Sequence, residues 1–368
     1  MNVKRYDYAS QFPQAESLFA DLQAMILNGD YVLADQVQSF ESQFAAYLGC
    51  SFAVGVNSGT DALILALLAA GIGPGDEVIT QANTFHATVL AIHRVGATPV
   101  LVDACPRTYL MDVQQVPHVL SPRTRAILPV HLYGKPTAMQ PILDLAQKHQ
   151  LIVIEDAAQS HGAIWQGQKT GSFGHLACFS FHPSKNLAAA GDGGCVVGQD
   201  PVLEERLNVL RNLGMERQNH HVVCGLNSKL DALQARILQH KLSYLDGWNA
   251  DRRRIAAQYR AGLTNLPLRF QSEDEGETHA YHLFQIETAH RNKLLEYLVD
   301  RGIEVTVRYP TPIHQQPAFA HLAFPGSFPV AERLSRELLC LPIRPGMPDT
   351  EIQYVIQCVQ AFFGEGLA

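Results

Sequence analysis

LIVIEDAAQSHGA, residues 151–163, decides how this chain is read. Its first four residues are apolar on consecutive positions, as in a strand covered on both faces, and do not alternate as they would beside water. Glu155 and Asp156 end the run. Carboxylates at the end of a buried strand are costly unless positive charge meets them, so a cationic partner is expected close by. AILPV at 126–130 repeats the same apolar pattern.

Outward from that stretch, short β-rich runs at 52–56, 77–80, 99–102, 126–130, 151–154, 177–181 and 195–198 alternate with helical periodicity. The alternation predicts an α/β domain built on a large, mainly parallel central sheet. After Gly198 the rhythm changes. Residues 227 to about 263 keep helical spacing through Leu230, Leu233, Ile237, Lys241 and Leu245, which predicts one long helix broken near Gly247. Beyond it, strand candidates at 282–286 and 304–307 and helices at 292–301, 331–339 and 350–363 predict a smaller C-terminal α+β domain. The expected division is 1–250 and 251–368, with helices at 16–27 and 36–48 packing on the large domain or on a partner subunit.

The 368 residues are 47% hydrophobic and 17% charged, which excludes a disordered chain. Twenty-eight Lys and Arg against 35 Asp and Glu leave a net charge of −7, so no overall positive field draws nucleic acid or an anionic membrane. The longest apolar run, 62–70, is far short of the ~20 residues that span a bilayer and reads as a buried helix. No apolar run follows the basic residues near the N-terminus, so no secretory signal is expected and the expected location is cytoplasmic. The seven cysteines are scattered without a C-x-x-C pair, and neither the His220–His221 doublet nor His175 with His182 has ligand spacing. No metal site is expected.

Three segments past strand ends carry chemistry, at the edge where open parallel sheets gather ligands. GVNSGTDALILALL at 55–68 puts Ser58, Gly59 and Thr60 at a strand-to-helix turn, which suits either phosphate binding or an ordinary N-cap. CFSFHPSKNLAAAGDGG at 178–194 places Ser180 and Lys185 in a loop, and Lys185 follows Asp156 by 29 residues.

With those segments in hand, the chain resembles the DegT/DnrJ/EryC1/StrS family of nucleotide-sugar aminotransferases, fold-type I enzymes dependent on pyridoxal phosphate. The resemblance rests on NSGTDAL, GIGPGDEVIT, NTFHAT, PVHLYG, VIEDAAQSHGA, GSFG, CFSFHPSKNL, GDGG, GLNSKLDALQA and YPTPIH, in order over nearly the whole chain. It implies pyridoxal 5′-phosphate held covalently by Lys185, with pyridoxamine 5′-phosphate as the intermediate form. Asp156 is implied to pair with the pyridine nitrogen, Gln159 to bond the phenolic oxygen and Phe85 to stack on the ring. Ser58, Gly59, Thr60 and Ser180 are implied to bind the phosphate, joined by Asn227 from the other subunit of a homodimer. The implied reaction moves an amino group from glutamate, leaving 2-oxoglutarate, to a ketone on a dTDP- or UDP-linked sugar. His182, Tyr309 and His314 are candidate substrate contacts, and His161 reads as a structural histidine.

Arg308 stands where many relatives carry His before Tyr309-Pro310, and Lys229 where they often carry Arg. Both are further candidate substrate contacts. Asn227-Ser228, in place of the Asn-Tyr of many enzymes acting at C4, points to amination at C3. Two other readings are a sugar dehydratase of the same fold, in which relatives replace the lysine by His, and a silent or regulatory cofactor-binding protein.

Overall fold

All seven β-rich runs are strands of one sheet: β1 (Phe52–Val56), β2 (Glu77–Gln81), β3 (Thr98–Val102), β4 (Thr124–Ile127), β5 (Ile152–Asp156), β6 (Leu176–Ser180) and β7 (Gly194–Gly198). The computed structural model of the chain describes residues 1–365. The order across the sheet is β1-β7-β6-β5-β4-β2-β3. Strands β6, β5, β4, β2 and β3 pair in parallel, whereas β7 is antiparallel to both β6 and β1. The sheet is mainly parallel, as the apolar runs require, with one reversed strand that residue pattern does not betray.

Alternate residues of the strands feed two different cores, because successive side chains leave opposite faces of a sheet. Val54, Cys178 and Val196 pack with helix Gly59–Ala69. Ala53, Ala177, Phe179, Cys195 and Val197 pack with helices Asp35–Leu48 and Ala232–Leu242. Helix Gly59–Ala69 contains most of the 62–70 run and is a core helix, as predicted. It lies against β6 and β7 and touches helices His86–Arg94 and Pro201–Arg211. Its Leu63, Leu65 and Leu67 are buried, each contributing roughly 1.5–3 kcal/mol. On the other face Phe44 meets Phe179 and Phe181 edge-on at 5.1 and 5.4 Å.

The predicted long helix is two: Ala232–Leu242 and Leu245–Leu263. The break falls at Ser243 and Tyr244, where the Tyr244 N–H turns back to the Lys241 carbonyl at i−3, and Gly247 lies inside the second helix. Leu245 belongs to the core under the sheet, whereas Ile255, Ala256, Tyr259 and Leu263 belong to a separate core. That second core also takes in β8 (Phe284–Glu287), antiparallel to β9 (Leu338–Leu341), and helices Arg291–Asp300 and Asp349–Glu365. Val3 joins it through a parallel bridge to Ile303.

The strand expected at 304–307 is reduced to bridges at Ile303 and Thr306, the latter to Cys340. The helix expected to reach residue 339 is Pro329–Glu337, because Leu338 turns extended to enter β9. No helix among the described residues is long and apolar enough to cross a membrane.

Candidate active site

Strands β1, β5 and β6 point the same way, so their C-terminal ends deliver Ser58, Asp156 and Ser180 to one edge of the sheet. There a cavity of about 410 Å³ opens. Of the residues singled out in the sequence, Ser58, Gly59, Thr60, Phe85, Asp156, Gln159, Ser180, His182, Lys185, Arg308 and Tyr309 line it.

Asp156, the last residue of β5, is 5% exposed. Its Oδ2 accepts from the Thr88 hydroxyl at 2.8 Å and its Oδ1 from the Ala158 N–H at 3.2 Å. Burial pushes the carboxyl above the usual range, and Thr88, Ala158 and the charge of Lys185 draw it back toward the ionised form. Glu155, one residue earlier on the other face, is fully buried and accepts from the N–H groups of Gly171, Phe173 and Gly174 at 2.7–2.8 Å. His131 Nδ1 accepts from the Thr137 N–H, so the ring proton sits on Nε2, which meets Glu155 at 2.8 Å. The cation expected for this carboxylate is therefore replaced by three amides and an imidazole.

Lys185 lies past β6 in a turn closed by its own N–H to the His182 carbonyl at 2.8 Å. Burial and the positive Arg308 lower its amine from 10.5 to about 8, against the pull of Asp156. That raises the neutral fraction near pH 7 on the order of a hundredfold. His182 is held by Ser184, its Nδ1 lying 2.9 Å from the hydroxyl.

The turn from β1 into helix Gly59–Ala69 is tight against β6. A Cβ on Gly59 would lie 2.6 Å from the Ser180 Cβ, so only glycine brings the helix N-terminus this close to the Ser180 hydroxyl. Ser58 Oγ caps the helix by accepting from the Asp61 N–H at 3.1 Å, which leaves its own hydrogen to donate. Free N–H groups at a helix start beside two hydroxyls make an anion cradle without a formal charge.

Gln159 is clamped. Its Oε1 accepts from the Tyr133 N–H at 2.7 Å, and its Nε2 donates one hydrogen to Tyr309 Oη at 3.0 Å, leaving the other free. Phe85, 47% exposed, sits 5.2 Å from the Tyr309 ring.

Three sequence candidates lie elsewhere. His314 is not in the cavity: its Nε2 meets Glu332 at 3.0 Å and its ring packs on Phe328. Asn227 and Lys229 are in contact with each other and line a separate open cleft, which shares Ser58 and Asp192 with the cavity. His161 is fully buried against Phe179 and Phe181, and among the described residues neither ring nitrogen has a hydrogen-bond partner, so it is structural but not satisfied. Among the described residues no group of three or more His, Cys, Asp or Glu is arranged to hold a metal.

Thr88, Tyr133 and His282 carry no functional signal in the sequence. Thr88 and Tyr133 occur within quoted motifs, but their contacts come from chain crossings that spacing does not encode. Together the cavity offers an anion cradle, a buried carboxylate, a partly neutral amine and an aromatic cover.

The model of the DegT/DnrJ/EryC1/StrS aminotransferase family matches residues 14–360. The chain is 44% identical over 353 residues to the dTDP-3-amino-3,4,6-trideoxy-α-D-glucose transaminase of Streptomyces venezuelae, covering 94% of this chain and 93% of that one. It is 44% identical over 348 residues to the UDP-N-acetyl-3-dehydro-α-D-glucosamine 3-aminotransferase of Acidithiobacillus ferrooxidans, covering 95% and 94%. The crystal structure of S. venezuelae DesV in complex with a ketimine intermediate is similar with a TM-score of 0.95 at 42% identity, over 98% of both chains.

Proposed function

The chain belongs to the DegT/DnrJ/EryC1/StrS aminotransferase family, and from that premise we propose that it moves an amino group from glutamate to the C3 keto group of a dTDP- or UDP-linked sugar. The observation that carries this reading is that Lys185, Asp156 and the close approach of Gly59 to Ser180 share one cavity. The C3 position is supported by Ser228 after Asn227 and by the reactions named for the two relatives.

The residues present fit pyridoxal phosphate. A carboxylate has about four acceptor sites, and Thr88 and Ala158 occupy two on Asp156, leaving capacity for a pyridinium N–H. The gap between Gly59 and Ser180 is one that a side chain would fill. When bound, the cofactor supplies an electron sink for the pair left when a C–H proton is removed.

Every other part belongs to the chain. Asp156 holds a proton on the ring nitrogen. Lys185 would anchor the group covalently and, with its amine free, would take the proton from the glutamate carbon that gives up nitrogen and deliver one to the sugar carbon that receives it, tasks that need a neutral amine. Ser58, Gly59, Thr60 and Ser180 hold the phosphate, and the free hydrogen of Gln159 Nε2 reaches the phenolic oxygen. Phe85 covers the ring and excludes water from one side. Arg308 and Tyr309 stand at the substrate side with His182. Asn227, which lies outside the cavity of its own chain, is proposed to complete the phosphate site of a second copy, making the active site shared between two subunits.

Protein purified with pyridoxal phosphate should show the visible absorbance of a lysine-linked cofactor. Glutamate should bleach that band with release of 2-oxoglutarate, and a 3-amino sugar nucleotide with 2-oxoglutarate should yield glutamate. Cofactor uptake without turnover of any amino donor would instead make this a binding protein.

A further inference from the structure

His282 lines the cavity together with Lys185, Arg308 and Tyr309, is 7% exposed, and has no task in the reaction above. Its protonation follows from neighbours that can play only one part. The Ala280 carbonyl only accepts, so the Asn186 side-chain atom 2.8 Å from it is Nδ2. Asn249 Nδ2 donates to the His161 carbonyl at 2.7 Å, so Asn249 Oδ1 takes the second hydrogen of Asn186 Nδ2, at 2.8 Å. Asn186 therefore meets His282 Nδ1 through Oδ1, an acceptor, at 3.3 Å, and Nδ1 must carry the ring hydrogen.

Burial and the charges of Lys185, Arg252 and Arg308 hold the imidazole well below its usual pKa, so the ring is neutral and Nε2 is bare. Among the described residues Nε2 has no hydrogen-bond partner. Gln159 Oε1 in the same cavity is engaged by Tyr133, and the capacity left on Asp156 after Thr88 and Ala158 is the one assigned above to the cofactor nitrogen.

We propose that Nε2 of His282 is a specificity contact, accepting a hydrogen bond from a sugar hydroxyl on a carbon that flanks the reacting one. A bare nitrogen repels the two carboxylates of glutamate and matches an O–H donor, so the contact selects the sugar and not the amino donor. The proposal rests on the aminotransferase reading.

The test compares two single-turnover reactions of the cofactor-loaded full chain, one with glutamate and one with dTDP- or UDP-3-amino-3,6-dideoxyglucose. Wild-type enzyme and His282→Phe are used, together with the 2-deoxy and 4-deoxy forms of the sugar. In His282→Phe the glutamate rate should stay within about threefold, and the sugar kcat/KM should fall about ten- to a hundredfold, the effect of one lost hydrogen bond in a buried site. One of the two deoxy sugars should make wild type as slow as the variant. Equal losses with glutamate and sugar, or wild-type and variant rates that converge for neither deoxy sugar, would overturn the proposal. Failure of the wild-type enzyme to react with glutamate would overturn the underlying reading instead. If phenylalanine prevents folding, His282→Leu, which likewise has no acceptor, carries the same comparison.

Discussion

A lysine amine placed in a cavity beside an arginine gives up part of its charge, and this ties reactivity to stability at residue 185. Because the folded value, about 8, lies below the ordinary 10.5, the unfolded chain binds the proton more tightly. The ammonium therefore opposes folding at pH 7, and the penalty fades as pH rises from about 8 through 10.5. Lys185→Met should abolish turnover while leaving the cofactor-free Tm at pH 7 unchanged or higher, with the difference closing by about pH 10, as calorimetry across pH would report. Arg308 pushes in the same direction as burial, so Arg308→Gln should raise the amine toward its usual value. Cofactor uptake requires the neutral amine, so in that variant it should slow several-fold at pH 7 and recover by about pH 9, measured by stopped-flow absorbance. An unchanged pH profile would mean that the arginine acts on substrate alone. Asp156 is legible in the sequence because a carboxylate that ends a buried strand needs a partner, whereas Lys185, in a loop past β6, stands out only through the family resemblance. Thr88 is not legible, since any small hydroxyl on a helix start looks like a cap until the sheet brings Asp156 to it.

The turn from β1 into helix Gly59–Ala69 fixes how closely backbone N–H groups approach Ser180. An alanine methyl at residue 59 would collide with Ser180 at 2.6 Å, so either the helix start or β6 must shift. Overpacking of this kind costs about 1–3 kcal/mol. If the cofactor phosphate sits there, Gly59→Ala should weaken pyridoxal phosphate binding about ten- to a hundredfold. Equilibrium titration checks this, with β-sheet circular dichroism confirming that the fold survives. The strands themselves are legible: each shows as a short β-rich run between helical stretches, and six of the seven predicted runs agree with the observed strand within one residue at the start or end. What escapes is direction and interruption. The reversed β7 has the same buried residue pattern as β1 and β6 on either side of it, and the helix break at Ser243–Tyr244 contains neither Gly nor Pro, whereas Gly247 is tolerated inside helix Leu245–Leu263. His314 misleads for a related reason: a histidine after Thr-Pro-Ile looks free in sequence, but Glu332, 18 residues on, takes it out of the cavity.

Two cores share helix Leu245–Leu263, Leu245 in one and Ile255 through Leu263 in the other, and this supports the proposed domain division near residue 250. Arg252 stands at that crossing. It is 5% exposed, forms no ion pair among the described residues, and donates through Nη1 to the carbonyls of Tyr281, His282 and Ile343 at 3.1, 3.5 and 3.0 Å. A guanidinium without a carboxylate is an expensive way to tie chain segments together, and burial lowers its pKa to about 10. What it gains is position, since one of the three carbonyls belongs to a cavity residue. Arg252→Met fills the same space but leaves those carbonyls unpartnered, and each buried orphan costs about 1–3 kcal/mol. The variant should therefore lose about 2–4 kcal/mol in urea unfolding followed by Trp165 and Trp248 fluorescence. Its reaction with the sugar should suffer more than its reaction with glutamate, because the backbone that moves carries His282. Full stability in Arg252→Met would show that the two cores hold their alignment by apolar contact alone, and that the arginine positions nothing.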